Sequence, residues 1–437
     1  MRRIAIVGSG ISGLGVAHRL AGVAQVTLFE AADYLGGHTH TVDVTLDGHT
    51  HGVDTGFLVL NERTYPNLLH LFDELGVELA KSDMSFSVQV PSERLEWSGA
   101  NLAGLLAQPV NMLRPRFWHM LADVLRFNRL ATAMALQTSP AATAEGPSIE
   151  AFLDTHRFTK AFRDWYFLPM IGSIWSCPTE QMLRFPVATM IRFCHNHGLL
   201  QIADRPQWYT VRGGARRYVE RMRRSIDDIR LATPVRQIRR LPDAGVEVTT
   251  DRAREHFDDV VLACHSDQAL ALLADPSAAE REVLGAIRYQ PNRAVLHTDQ
   301  ALLPRRRAAW AAWNYERSAD SVGKDPGVCL HYLLNRLQPL PFTTPLVVSL
   351  NPSRPPRADL VLGEYGYAHP VFDSAAIAAQ LRLPALQGRR HTWYCGAWTR
   401  YGFHEDGLLS AYAVADVLEP ACRAGAAAPA AAFEAAA

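Results

Sequence analysis

Lysine is nearly missing from this chain: Lys81, Lys160 and Lys324 are the only ones among 44 basic residues in 437. Chemistry that needs a lysine nucleophile or proton carrier therefore has three addresses at most. An excess of either charge is missing too. The 44 acidic residues cancel the basic ones, so no overall field favours nucleic acid, and no nucleic-acid partner is expected. Paired cysteine motifs are absent. Cys177, Cys194, Cys264, Cys329, Cys395 and Cys422 are scattered without a C-x-x-C, which excludes a zinc ribbon and suits buried thiols in a reducing compartment. No apolar run is long enough to span a bilayer, and the opening IAIVGSG is too short and glycine-broken for a signal peptide, so a cytoplasmic protein is expected. No internal repeat stands out. The stretch 425–437, GAAAPAAAFEAAA, is low in complexity and expected to be a disordered tail. What remains is 48% hydrophobic and 20% charged, the composition of a globular chain with material for two domains.

The strongest pattern is RRIAIVGSGISGLGVAHRLAGVAQVTLFE at 2–30. It reads as a buried strand (Ile4–Val7), a glycine turn, a helix over about Ser12–Leu20, a second strand (Gln25–Phe29) and an acid. Gly8, Gly10 and Gly13 form G-x-G-x-x-G. The three glycines permit a tight turn, close approach of backbone amides to a pyrophosphate, and close helix–strand packing. Ile11 and Ser12 open the helix, whose free N–H groups face the phosphates. Glu30, with Ala31 beside it, is placed to accept hydrogen bonds from an adenosine ribose. A dinucleotide is expected here.

The next stretch, GGHTHTVDVTLDGHTHGVD at 36–54, repeats His-Thr-His. Residues two apart in a strand share a face, and Asp47-Gly48 is a hairpin signal. His38, His40, His49 and His51 would then converge as zinc or copper ligands, or be polar residues of a two-stranded ribbon. The neighbours decide for the ribbon, and no metal is expected.

Those neighbours carry a resemblance. EAADYLGGHTHT resembles the second signature of the flavin-dependent amine oxidase and desaturase superfamily, which includes monoamine oxidases, protoporphyrinogen oxidases and phytoene desaturases. Gly36-Gly37 match its glycine pair, His38 stands where the family usually has arginine, and Thr39 follows. VDTGF (53–57) is similar to the segment beside the flavin ring, with Gly56 and Phe57. VRGGARRYVERM (211–222), ATPVRQIRR (232–240) with Val235 near adenine, and FDDVVLAC (257–264) resemble later family segments. WYCGAWTRYGFHEDGLLSAYAVADVL (393–418) is similar to the C-terminal flavin motif. There a strand ends at Gly396, and a helix opens at Glu405, Asp406 and Gly407 toward the flavin pyrimidine, with an acid near ribityl or phosphate. The resemblance implies FAD as cofactor. It implies an α/β fold: a Rossmann-like FAD-binding domain with a parallel sheet, made of 1–60, 206–275 and 388–420. A discontinuous, amine-oxidase-like α+β substrate domain takes 61–205 and 276–387.

The resemblance also implies an oxidoreductase. Amine oxidases of the family usually place a lysine near flavin N5, but YQPNRAVLHTD (289–299) has none. Phe403 stands where many have a cage tyrosine and suits a hydrocarbon better than an amine. The fuller pattern, GAW…GFHEDG with Trp175, Gln207-Trp208 and LNP at 350–352, resembles a bacterial NAD/FAD-binding subgroup. Its members are often encoded near cyclopropane-fatty-acid synthase-like methyltransferases, an association that implies an apolar, fatty-acyl substrate dehydrogenated by hydride transfer. Amine oxidation, a reduced-flavin isomerase and a non-catalytic FAD-binding partner protein are the alternatives. Phe403, His404 and Arg293 are the flavin-proximal catalytic candidates, without an assigned acid or base, and the electron acceptor is left open. FLPMIGSIWSCP (167–178) and WNYER (313–317) offer apolar walls or ordinary core. MLRPRFWHMLADVLRFNRL (112–130) mixes arginines with aromatics, as a solvated basic face or a peripheral membrane contact.

Overall fold

The computed structural model describes residues 1–137, 146–177, 179–201, 205–242, 245–317 and 328–425. The expected tail beyond Gly425 lies outside them. The strand Arg3–Val7 is the centre of a five-stranded parallel sheet. It pairs with Gln25–Phe29 on one side and Asp259–Leu262 on the other, with Asp228–Arg230 and Thr392–Tyr394 at the edges. Alternation along this strand explains the layers. Ile4 and Ile6 pack against the helices Ile11–Leu20 and His404–Ala424, while Ala5 and Val7 pack against Val246, Val248 and Phe257 of a three-stranded antiparallel sheet. A sheet buried on both faces needs the near-continuous apolar runs seen in the sequence.

Residues 41–54 form the expected hairpin, Thr41–Leu46 against His49–Asp54, with Asp47 and Gly48 both at positive φ in the turn. A helix spans Pro66–Glu74. A seven-stranded mixed sheet makes the second half, in the order Val361–Val371, Arg288–His297, Val347–Leu350, Cys329–Leu333, Trp313–Glu316, Phe86–Val90, Leu95–Ser98. Helices Pro115–Gln137, Leu168–Trp175 and Val187–Asn196 form a separate aromatic core around Phe127, Phe162 and Phe167. One cavity of about 800 Å³ runs between the two halves.

Candidate functional site

At the dinucleotide end the cavity wall is backbone. Gly8 has φ +100°, and an added Cβ would stand 2.8 Å from the Ala263 carbonyl oxygen. Gly13 sits one helical turn further on, where a Cβ would lie 1.9 Å from the Gly8 carbonyl oxygen; only glycine lets helix and turn meet there. Gly10 faces open space. The Glu30 carboxylate receives the Ser9 N–H (2.9 Å), the Ser9 hydroxyl (2.6 Å) and the Ala32 N–H (2.8 Å). These bonds fix the carboxylate on the cavity wall beside the turn. Gly8, Gly10, Ile11, Ser12, Glu30, Ala31, Gly36, Gly37, His38, Gly56, Phe57, Val235 and Gly396 line one continuous cavity, with Phe403 and His404. Residues nearly 400 positions apart are thus neighbours.

Other expected site residues stand behind that wall. Thr39 Oγ1 is 2.5 Å from the Tyr218 hydroxyl and 2.9 Å from His404 Nε2, fixing the imidazole, which stacks on Phe57 at 3.6 Å between ring centroids. The Ser12 hydroxyl donates to the Gly407 carbonyl (2.9 Å), locking the first helix to the last. Asp406 accepts the Phe403 N–H (3.0 Å) as a helix cap.

Two expectations are corrected. Glu405 is turned away from the cavity: its carboxylate accepts Asn67 N–H (2.9 Å), Asn67 Nδ2 (2.7 Å) and Leu68 N–H (3.0 Å), capping the helix Pro66–Glu74. Arg293 is no flavin neighbour either. Strand alternation buries Asn292 and turns Arg293 outward, where it is ion-paired with Glu364. The four ribbon histidines do not converge. His38 joins the cavity, His40 bonds Thr55 (2.8 Å), His51 bonds the Gly52 carbonyl, and His49 is exposed.

Sequence reasoning missed three histidines. His265, His369 and His197 line the same cavity. His38 is within 6.1 Å of His265 and 5.5 Å of His369, centroid to centroid, and His369 Nδ1 is 2.9 Å from Asn292 Nδ2. Burial pushes His369 and His197 down to about 4 and His404 to about 3, and His38 and His265 are lowered as well. At neutral pH these rings are uncharged donors and acceptors. The His197 Nδ1–H donates to the Phe193 carbonyl (3.0 Å), which leaves Nε2 as the acceptor. No sequence signal marks these residues, because each lies in a separate element.

Beyond the dinucleotide end the cavity becomes a chamber walled by side chains such as Phe86, Met170, Trp175, Trp208, Tyr332 and Leu350. Glu30 is the only Asp, Glu, Lys or Arg among all lining residues described. Three buried ring nitrogens on the wall, His38 Nε2, Trp175 Nε1 and Trp313 Nε1, have no hydrogen-bond partner in the protein. Such orphans are rare in folded proteins and mark places where a ligand or water bonds. An FAD fits these residues: a glycine cradle beside a helix N-terminus, a fixed carboxylate for ribose, and an unpartnered imidazole nitrogen on the Gly36-Gly37 loop.

Comparison with known proteins places this arrangement. The sequence profile described as flavin containing amine oxidoreductase matches residues 11–314. A carotenoid phi-ring synthase of Streptomyces griseus is 30% identical over 291 residues, 62% of this chain and 54% of that protein, so the match spans about half the length of that relative. Among solved structures, a CLA-producing fatty acid isomerase from P. acnes has the same fold at TM-score 0.68 and 17% identity, covering 95% of this chain and 98% of that one. Cyclohexylamine oxidase from Brevibacterium oxydans superposes at TM-score 0.66 and 17% identity, covering 96% and 99%.

Proposed function

The chain belongs to the flavin containing amine oxidoreductases, and on that premise we propose that its chamber takes the acyl chain of a lipid or fatty acid, which the enzyme dehydrogenates. It is an FAD-dependent oxidoreductase; bound FAD supplies the hydride acceptor. The observation that carries the substrate reading is the absence of charge: apart from Glu30 at the dinucleotide end, no carboxylate, ammonium or guanidinium lines the cavity among the described residues. An ammonium substrate brought into the chamber would lose its hydration and meet no counter-charge. A hydrocarbon chain loses nothing by entering and gains about 25 cal/mol per Å² of apolar surface buried. The two unpartnered indole N–H groups, on Trp175 and Trp313, supply donors for the carbonyl oxygen of an acyl group, which fixes the chain along the chamber.

In this reading the side chains orient and desolvate. Phe403, stacked on Phe193 with centroids 4.9 Å apart, shapes the chamber beside His404. Dehydrogenation removes a hydride and a proton from adjacent carbons. His197, uncharged with Nε2 as its acceptor, is one of the neutral imidazoles on the wall able to take the proton. An external electron acceptor then takes the two electrons.

A second reading has one observation in its favour. The fatty acid isomerase similar in fold acts on a chain of this chemistry, and the same walls would serve movement of a double bond without net oxidation. Anaerobic mixing of the FAD-loaded protein with acyl lipids and with primary amines separates the readings. Loss of the oxidised-flavin absorption with acyl lipids alone is the expected result, and reduction by amines alone would overturn it. Double-bond migration seen only after dithionite reduction would favour isomerisation, and no response to any of these a non-catalytic FAD-binding partner.

A further inference from the structure

We propose that the outward face of the helix Pro115–Gln137, with the loop that precedes it, docks the protein on an anionic lipid bilayer. Twelve large hydrophobic side chains are exposed among the described residues, and seven of them fall within residues 102–136. Leu113 is 82% exposed, Trp118 48%, Leu125 58% and Leu136 74%. Trp118, Leu125 and Leu136 follow at intervals of seven and eleven residues, which at about 100° per residue places them in one stripe along the helix. A solvated helix face carries its polar residues outward; this one carries leucine and tryptophan. Clustered apolar exposure of this kind marks an interaction surface.

Charge identifies the partner. Residues 99–137 include four arginines beyond Arg94, namely Arg114, Arg116, Arg126 and Arg129, and a single acid other than those before Gly99, Asp123. Asp123 is buried, accepting the Thr159 N–H and hydroxyl at 2.9 and 2.7 Å. Arg126 is ion-paired with Asp123 (2.8 Å) and Arg116 lies 3.8 Å from Glu93, so among the described residues Arg114 and Arg129 are the arginines of this face that have no acidic partner and are left for a lipid phosphate beside the apolar stripe. That pairing, apolar stripe plus cations, is the chemistry of an interfacial helix on anionic lipid. No described helix is long and apolar enough to cross a membrane, so the contact is peripheral.

The position of the face gives it a purpose. A groove of about 540 Å³ lies along it, lined by Leu125, Arg129, Leu136 and Leu200 among others. Leu199, the adjacent residue, lines the main cavity. The segment that closes the groove also walls the chamber, so a docked protein holds its chamber close to lipid chains. This last point rests on the acyl-substrate reading; the docking itself does not.

Flotation of the full-length, FAD-loaded protein with vesicles tests docking without any turnover. The protein is expected to rise with vesicles of phosphatidylcholine and phosphatidylglycerol, far less with phosphatidylcholine alone, and less at about 0.5 M salt, where charges are screened. Combined Leu113→Ser, Leu125→Ser and Leu136→Ser should lower the bound fraction at least tenfold while FAD content, the measure of folding, is unchanged. Arg114→Gln with Arg129→Gln should remove the preference for phosphatidylglycerol. Wild type that fails to float, or variants that float equally well, would overturn the proposal. So would wild type that sediments as a dimer while the triple variant is monomeric, since a second copy would then cover the face. Flotation with no reduction by detergent-dispersed acyl lipid would sink the substrate reading and leave docking standing.

Discussion

The two ends of the cavity are built by opposite means. At the dinucleotide end, recognition is done by backbone: Gly8 and Gly13 stand where a Cβ would collide with carbonyl oxygens 2.8 and 1.9 Å away, and Glu30 is tied to Ser9 and Ala32. In the chamber, recognition is done by side chains from unconnected elements, Phe86, Met170, Trp175, Trp313 and Leu350 among them. The first end tolerates almost no change and the second much more. A wall of packed apolar side chains needs only the right volume and the absence of charge.

The largest expected effect is therefore a single methyl group. Gly13→Ala should drive the first helix off the glycine turn and weaken FAD binding by about 100-fold or more, read as cofactor released per purified chain. Next, Glu30→Gln keeps the shape and removes the charge; loss of a charged acceptor, about 1.5–3 kcal/mol, should weaken FAD about 10- to 100-fold in an equilibrium titration.

The third effect is on pH. His404 is neutral in the fold and lowered to about 3 by burial, below its unfolded value near 6.5. Its contribution to stability is thus complete above pH 6.5 and is lost as pH falls toward 3. Asp54 and Asp406, raised to about 7 by burial, work in the other sense, stabilising below their unfolded value and losing that as pH rises through 7. In urea unfolding, His404→Gln should lose about 2 kcal/mol less than wild type between pH 6.5 and 5, since one neutral-histidine penalty is gone. An unchanged difference would mean that the imidazole takes up its proton in the fold.

Smaller still, Trp175→Phe deletes one N–H and keeps the ring plane. It should weaken binding of an acyl ester about five- to tenfold, a hydrogen bond of about 1 kcal/mol, with FAD affinity unchanged. An equal loss for a plain alkane would assign the effect to packing. At the bottom, Arg293→Ala removes an exposed ion pair with Glu364 and should shift stability by no more than about 0.5 kcal/mol, without altering FAD or ligand binding.

The same contrast explains what the sequence disclosed. The glycine turn, the helix Ile11–Leu20 and Glu30 occupy one short stretch whose spacing is dictated by local geometry, so they were legible. The hairpin was as well, since Asp47-Gly48 meets the turn's requirement for positive φ. That the distant strands Asp259–Leu262 and Thr392–Tyr394 belong with the first strand followed from resemblance to known segments, not from periodicity. His197, His265 and His369 were not legible: their neutrality and convergence come from burial in a cavity that exists only after folding. Arg293 was misplaced because a strand offers two faces and the sequence around Pro291 does not give the phase. Glu405 was misread because its partners, Asn67 and Leu68, lie over 300 residues away, and the first turn of a helix gives an acid both capping and ligand roles.

Mass spectrometry of whatever leaves the purified protein on denaturation tests the contrast most directly. One FAD per chain together with acyl lipid is the result expected of a backbone cradle joined to a chamber without charge. FAD accompanied by a polyamine, or FAD in a protein that takes up amines and refuses acyl lipids, would contradict it.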